Sequence, residues 1–267
     1  MRSNEQFFEL RLSISPARER HRVANRFLSK PPESLVTKFS LVVFLLASAS
    51  HVHAQDAKVA PYPAMAPVEQ YRIANRDEEI ALARSAAPPS ISADAEVLVL
   101  GSRGFETAVK GKNGFVCIVE LSWSAGFADA EFWNPKVRSP NCFNALAARA
   151  VLPQFLKRTE WALAGASKQE MIERTKAALA DKTFIAPEPG AMCYMLSKQG
   201  HLNDHDGHWM PHVMIYVPHA AASLWGANLA ASPIAALEGD DLDPVTVYLI
   251  PVRKWSDGTS APDHHTK

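Results

Sequence analysis

The sequence lacks the short motifs that identify the common catalytic and cofactor sites. It contains no HExxH zinc helix, no Cys–His ligand ladder, no GxGxxG or Walker phosphate loop and no GxSxG nucleophile elbow. The glycines of "GSRGFETAVKGKNG" lie between predicted strands and are typical of hairpin turns, and "DDLD" at 240–243 lacks the alternating oxygen ligands of a calcium loop. The familiar enzyme classes are therefore disfavoured, although a site without a known motif would leave the same absence.

Net charge is also absent, since 28 Lys and Arg residues balance 28 Asp and Glu residues. Eight of the basic residues lie in residues 1–54 with four acidic ones, so the remainder has 20 basic and 24 acidic residues and a net charge of −4. Nucleic acids and anionic membrane surfaces attract clustered positive charge. The mildly acidic body of the chain therefore argues against both as the main partner.

No apolar run is long enough to span a bilayer, which takes about 20 residues. The run "FSLVVFLLASAS" follows Lys38 and precedes "HVHAQD", and this order of basic, apolar and small-residue segments predicts a secretory signal peptide rather than a retained anchor. Val52 and Ala54 would occupy the −3 and −1 positions of a cleavage site before Gln55. We therefore expect an exported protein, periplasmic or extracellular, with no membrane span after cleavage.

The basic segment before this run is long for a signal peptide, and translation from an alternative start at Val36 would give one of ordinary size. Residues 1–54 are therefore set aside from the fold. Residues 55–74 are rich in Pro and Ala and predict a flexible leader, and residues 75–260 predict a single α+β domain. Residues 261–267 form a polar tail.

Cysteine is scarce, with three residues in the chain, and an oxidising compartment allows two of them to pair. We predict a Cys117–Cys142 disulfide, because Cys117 lies in a predicted strand and Cys142 lies in the adaptable stretch "SPNCFN". Closing a loop of about 25 residues would contribute roughly 3 kcal/mol to stability. Cys193 lies in the apolar run "AMCYML", and we expect a buried free thiol there.

Hydrophobic periodicity predicts an α+β fold with an antiparallel sheet of about six strands and a helical insertion between the third and fourth strands. The first three strands are short, rich in Val, Ile and Phe, and joined by Gly-bearing turns, so we expect a three-stranded meander. The predicted strands are 95–100, 104–109, 114–121, 191–197, 212–218 and 245–252.

Helices are predicted in "NRDEEIALARSAAPP", across 144–164 with a kink or restart at Pro153, and after Ser167, which has capping-box spacing to Glu170. The segment 122–141 is predicted to be irregular. The segment 220–243 is predicted to be a loop with a short helical turn.

Four of the ten histidines lie in "HLNDHDGHWMPH", residues 201–212, at the spacing of one helix face. A helix is disfavoured, because Gly207 and Pro211 would cost about 1 and 3 kcal/mol inside it. Residues 201–208 instead predict a turn, after which His212 begins a strand. In that turn His201, His205, Asp206 and His208 are candidate ligands for zinc or a similar divalent metal, and the alternative is a solvated histidine-rich loop.

Several segments of the chain resemble a family of hypothetical exported bacterial proteins without known activity. The likeness is carried by "EEIALARSAAPPSISADAEVLVLGSRGFETAVKGKNGFVCIVE", "PEPGAMCYMLSKQG", "HWMPHVMIYVP" and "PVTVYLIPVRKWSDGT", and it covers most of residues 75–260. The resemblance implies export and a single domain. It implies no ligand and no catalytic residue.

Two hypotheses for the function follow. The first is an exported, non-catalytic module that binds a small molecule, an envelope component or another protein. The second is a metal-dependent enzyme, for example a hydrolase, that uses the 201–208 turn with His212 nearby. The absence of familiar catalytic arrangements favours the first, and whether the chain is an enzyme stays open at this point.

Overall fold

The computed structural model describes residues 61–205 and 207–262. The predicted signal peptide, the start at Val36, the first part of the leader, Asp206 and the end of the tail lie outside the described residues. Within them, no helix is long and apolar enough to cross a membrane.

The described chain forms a mixed α+β fold around one eight-stranded sheet. Along the sheet the order is β2-β1-β3-β4-β5-β6-β8-β7, and every neighbouring pair is antiparallel except β1 and β3. The strands are β1 Glu96–Leu100, β2 Phe105–Val109, β3 Val116–Glu120, β4 Ser139–Phe143, β5 Met192–Met195, β6 His212–Pro218, β7 Ala235–Leu237 and β8 Val245–Pro251. The helices are α1 Arg76–Arg84, α2 Pro89–Ser92, α3 Ala145–Ala150, α4 Leu152–Leu163 and α5 Lys168–Ala180.

The predicted meander is wrong, because β1 lies between β2 and β3 and runs parallel to β3. Residues 97–100 of β1 are all buried, whereas β2 exposes Glu106 and Thr107. A continuous apolar run is typical of a strand that is covered on both faces and flanked on both sides. The run "EVLVL" therefore needs the inner position, and the partly polar β2 takes the edge.

The expected number of about six strands is also wrong, because β4 and β7 were not predicted. Strand β4 contains Pro140, which cannot donate a ladder hydrogen bond. The structure tolerates Pro140 because β4 pairs with β5 only through Cys142 and Phe143, which leaves the first half of β4 without a strand on that side. The helical insertion follows this extra strand, so it lies between β4 and β5 rather than between the third and fourth strands.

Helices cover the two faces of the sheet unequally. Helix α1 packs on β1, β3 and β4, while α3 and α4 pack on the opposite face. One face buries Val97, Val99 and Val119 under α1, and the other buries Ile118 and Phe143 under α3 and α4. The core under α3 and α4 includes Val245 and Val247 of β8, whereas Ala235 and Leu237 of the edge strand β7 are exposed.

The predicted helix starts are confirmed by their caps. Ser167 and Glu170 form a reciprocal capping box ahead of α5, and Asn75 and Asn144 accept backbone hydrogen bonds at the starts of α1 and α3. The end of the predicted leader forms a 3-10 turn, Val68–Tyr71, whose Tyr71 is buried and donates a hydrogen bond to a main-chain carbonyl.

The predicted Cys117–Cys142 disulfide is confirmed, and Cys193 is a buried free thiol. The two bonded cysteines face each other across β3 and β4, where both strands are covered by helices. The bridge therefore links β3 and β4, two inner strands of the sheet, covalently.

We predict that a Cys117→Ala/Cys142→Ala double variant loses about 3 kcal/mol of unfolding free energy, because the unfolded chain is no longer restrained by the loop. Urea denaturation measures the loss. Reducing the wild-type protein should lower its stability by a similar amount and should leave the double variant unchanged. Peptide mapping without reduction that found Cys193 in a bridge would contradict the assignment.

Candidate functional site

The histidine-rich segment 201–212 is a turn followed by β6, as the sequence predicts. Leu202 donates to the carbonyl of Gly207, and Gly207 donates to the carbonyl of Asn203, at 2.8 and 2.9 Å. Gly207 has a φ of 66°, a conformation that glycine adopts without strain. His201 is fixed at the start of the turn by a pair of backbone hydrogen bonds with Arg138.

The carboxylate nearest to these histidines in the described chain is Asp204. It accepts hydrogen bonds from the Tyr62 hydroxyl and from Lys136 Nζ, the latter at 3.0 Å. These bonds, with that of Tyr62 the largest influence, lower the pKa of Asp204 to about 2. His201 Nε2 lies 3.4 Å from Asp204 Oδ1 but is not aligned for a hydrogen bond. Asp204 is thus already neutralised by a lysine, which opposes its use as a metal ligand.

The other histidines point to different partners. The His208 ring stacks on Trp255 with centroids 5.0 Å apart and planes 9° apart. His212 is buried, and its Nδ1 lies 2.8 Å from the carbonyl oxygen of Met210. Burial lowers the pKa of His212, so its ring stays neutral near physiological pH. His205 is held at its backbone N–H by the side chain of Asn203.

In the part of the chain that the structure describes, no three His, Cys, Asp or Glu side chains are close enough to hold a metal ion. Three of the four predicted ligands, His201, His205 and His208, lie in that part, and Asp206 does not. The metal site therefore stays a hypothesis that depends on Asp206.

Metal analysis of protein purified without a histidine tag tests this hypothesis. If the turn binds zinc, the wild-type protein should carry close to one equivalent, and a His205→Ala/His208→Ala variant should lose it because two imidazole ligands are gone. His219→Ala is the matched control outside the turn. Metal-free wild-type protein would contradict the hypothesis.

A second group of chemically competent side chains was not predicted from the sequence. Four neighbouring strands, β3 to β6, contribute Glu120, Asn141, Cys193 and Tyr216 to the sheet face under α3 and α4, and all four residues are buried. Asn141 Nδ2 donates to Glu120 Oε1 at 2.9 Å, and the Cys193 thiol lies 3.1 Å from the Tyr216 hydroxyl. The register places these residues in one diagonal row across the four strands, which alternation alone could not reveal without the strand order.

Burial dominates the electrostatics of this row. It raises the pKa of Glu120 to about 8 and raises the pKa values of the Cys193 thiol and the Tyr216 phenol. All three groups are therefore protonated and neutral at neutral pH. Thiol nucleophiles act as thiolates, so this cysteine is unsuited to nucleophilic catalysis. The row is best described as a buried polar network.

We predict that the network makes stability depend on pH. Glu120 ionises near pH 4.5 when unfolded and near pH 8 when folded, so unfolding releases a proton between these values. The contribution is fully present below pH 4.5 and is lost as the pH rises to about 8, with a change on the order of 5 kcal/mol. Glu120→Gln should flatten the stability profile in that window.

Urea denaturation at a series of pH values measures this effect. Glu69→Gln, at an exposed carboxylate, is the control and should follow the wild-type profile. A Glu120→Gln variant with the same pH dependence as the wild-type protein would show that Glu120 is ionised in the folded state.

The third candidate is an apolar surface at the β7 side of the sheet, which we call the edge face: Met214, Ala235, Leu237, Val247 and Leu249. The strand register pairs Leu237 with Val247 and Ala235 with Leu249, and Leu249 with Met214, so all five share one face. Exposure rises toward the edge, from half-buried Met214 to Leu237, whose exposed fraction is 63%. Met214 and Val247 still pack against the core under α3 and α4, so Ala235 and Leu237 are the exposed part of the edge face.

The opposite side of the same edge is also apolar. Trp225 stacks on Tyr248 with centroids 4.3 Å apart, and it ends a 3-10 turn, Ala222–Trp225. Leu224 and Leu229 next to this stack are exposed, the former at 74%. Of the six large apolar side chains that are exposed in the described chain, four lie between residues 224 and 237. Surface leucines scattered singly are ordinary, whereas this concentration marks a place where contacts are expected.

Acidic groups border the edge face. Strand β7 leads directly into Glu238, Asp240 and Asp241, and an open cleft of about 600 Å³ is lined by His219, Gly239, Asp240, Asp241 and Pro244. Residues 199–252 contain no Lys or Arg. The lack of Lys and Arg in this long segment could have indicated an acidic surface from the sequence alone. Only the structure shows that this acidic surface lies beside β7 and β8.

Comparisons with known proteins add no assignment. No protein-family model matches the chain, and no curated protein and no solved structure is significantly similar to it. The interpretation of the three candidates therefore depends on their geometry.

Proposed function

We propose that this is an exported, non-catalytic binding module that docks a protein partner on the edge face. The observation that carries the proposal is the exposed Leu237 of β7, which continues into the half-buried side chains of Val247 and Leu249 on β8. The buried network is enclosed and protonated, and His201 and His208 have different partners in the described chain, so neither offers comparable support.

The side chain of Leu237 is the most exposed large apolar group of the edge face. Burying one leucine side chain fully is worth roughly 1.5–3 kcal/mol, so free energy of this order stays unrealised at Leu237 in the isolated chain. A partner that covers Leu237 would recover part of that free energy. The surface is spread over three strands, which suits a protein better than a small molecule that needs an enclosed pocket.

The partner would contact side chains rather than extend the sheet. Asn228 Nδ2 donates to the carbonyl of Ala236, and the Ala236 N–H donates to Asn228 Oδ1, both at 2.9 Å. The side-chain amide thus satisfies both outward backbone groups of the central residue of β7. An added strand would have to displace Asn228, so ordinary strand addition is opposed at this edge.

A photo-crosslinking amino acid at Leu237 tests the proposal in cells that produce the protein. We expect a crosslinked species of defined mass from position 237, because the side chain would lie against the partner. Position 185, where Ile185 is also exposed, is the matched control and should give no such species.

The captured protein must then bind the purified module directly. A Leu237→Ser variant should weaken that binding by about tenfold or more, and Ile185→Ser should leave it unchanged. Equal crosslinking from both positions, or equal affinity of both variants, would contradict the proposed function.

A further inference from the structure

We propose that the partner segment is cationic and amphipathic, with apolar side chains on the edge face and Lys or Arg side chains at the acidic cleft beside it. This inference deepens the proposed function and rests on it. Here the acidic cleft means His219, Gly239, Asp240, Asp241 and Pro244.

The first step is the connection between the two surfaces. Leu237 ends β7, and the next residues form the wall of the cleft. The opposite wall is joined to it, because His219 donates to the carbonyl of Pro244 at 3.0 Å and Ala222 donates to the Glu238 carboxylate. An apolar surface and an acidic cleft therefore lie at one corner of the fold, and one ligand segment can reach both.

The second step is the sign and availability of the charge. Asp241 is exposed and makes no hydrogen bond or ion pair with another residue of the described chain. Asp240 accepts two backbone hydrogen bonds from its own turn, and Glu238 accepts one, yet both remain exposed carboxylates. No basic residue in 199–252 neutralises them.

One cation from elsewhere in the fold lies within electrostatic range of this loop. Arg158 of α4 interacts with Asp243 and more weakly with Asp240, but it is buried and donates to the carbonyls of Ser124 and Ala125. The loop carries four carboxylates, at Glu238, Asp240, Asp241 and Asp243. Arg158 offsets the charge of one of them and leaves the exposed side of the loop negative. Opposite charges at the rim of an apolar surface determine which partners are attracted and in which register they dock.

The negative charge of this corner disfavours two other occupants, an anionic lipid surface and a second copy of the chain. An anionic lipid surface would be repelled by the carboxylates that border the edge face. A second copy of the chain would bring a second set of the same carboxylates to the interface if the contact were symmetric about β7. An amphipathic segment with apolar side chains on one face and basic side chains on the other satisfies both surfaces at once.

The test uses three synthetic peptides and fluorescence anisotropy. The first is an amphipathic helix of Leu and Lys, the second has Glu in place of every Lys, and the third is a scrambled Leu and Lys peptide without an apolar face. We expect the first to bind the wild-type protein, with affinity that falls as salt is added, and the other two to bind at least tenfold more weakly.

Matched variants assign the binding to this corner. Leu237→Ser and Asp241→Lys should each weaken binding of the Leu and Lys peptide by about tenfold. Ile185→Ser and Glu69→Lys make the same chemical changes at exposed positions away from the corner and should leave the affinity unchanged.

The outcomes separate the two proposals. If the Leu and Glu peptide binds as tightly and depends on Leu237, the binding module stands and the cationic partner is wrong. If the corner variants and the control variants bind alike, both are wrong. A dimer in sedimentation that Leu237→Ser dissociates, or Leu237-dependent binding to phosphatidylglycerol vesicles, would also overturn the cationic partner.

Discussion

The structure depends on burying both faces of the inner strands. Strands β1, β3 and β4 carry apolar side chains in both directions, so the sheet is stable only with a helix on each side. Helix α1 supplies one layer, and α3 and α4 supply the other. The Cys117–Cys142 bridge lies within this doubly covered region, where it adds a covalent restraint to strands already held by packing. The exposed apolar side chains Ala235 and Leu237 lie at the other end of the sheet, on the edge strand β7.

The same burial explains the chemistry of the interior. Glu120, Asn141, Cys193 and Tyr216 satisfy one another partly, and the Oδ1 atom of Asn141 has no hydrogen-bond partner in the described chain. A carboxylic acid in such surroundings is kept neutral by desolvation, because no cation accompanies it. Stability is therefore lost when the pH rises through the pKa of Glu120. A buried network of this kind helps to specify the arrangement of the strands.

Local signals predicted the elements that have regular patterns. The capping box of α5, the strands β5, β6 and β8, and the disulfide partners were all predicted from local sequence. The strand order could not be predicted, because it depends on which strand needs two neighbours, and β1 shows this only through its unbroken apolar run. Strand β4 was missed because Pro140 is tolerated there by incomplete pairing with β5.

The candidate sites also include features that local sequence predicts and features that only the fold creates. The turn at 201–208 could be predicted because Gly207 and neighbouring Asn and Asp residues favour turns locally. The directions of its side chains could not be predicted, because they depend on partners that are distant in sequence. His208 stacks on Trp255, and Asp204 accepts a hydrogen bond from Lys136. The edge face is a property of cross-strand register among β6, β7 and β8, which no single segment contains.

The side chains of Glu238 and Asp240 accept backbone hydrogen bonds, whereas the Asp241 carboxylate makes no hydrogen bond or ion pair within the described chain. Exposed carboxylates at Glu238, Asp240 and Asp241 repel one another, and a lysine or arginine on neighbouring β6 or β8 would relieve that repulsion at little cost. None occurs between residues 199 and 252, although the chain as a whole is rich enough in basic residues to balance its acids. Negative charge that Arg158 offsets only in part, next to the exposed side chain of Leu237, weakens an isolated domain in two ways at once. Both costs are relieved together by a partner that brings apolar and basic groups to the same corner.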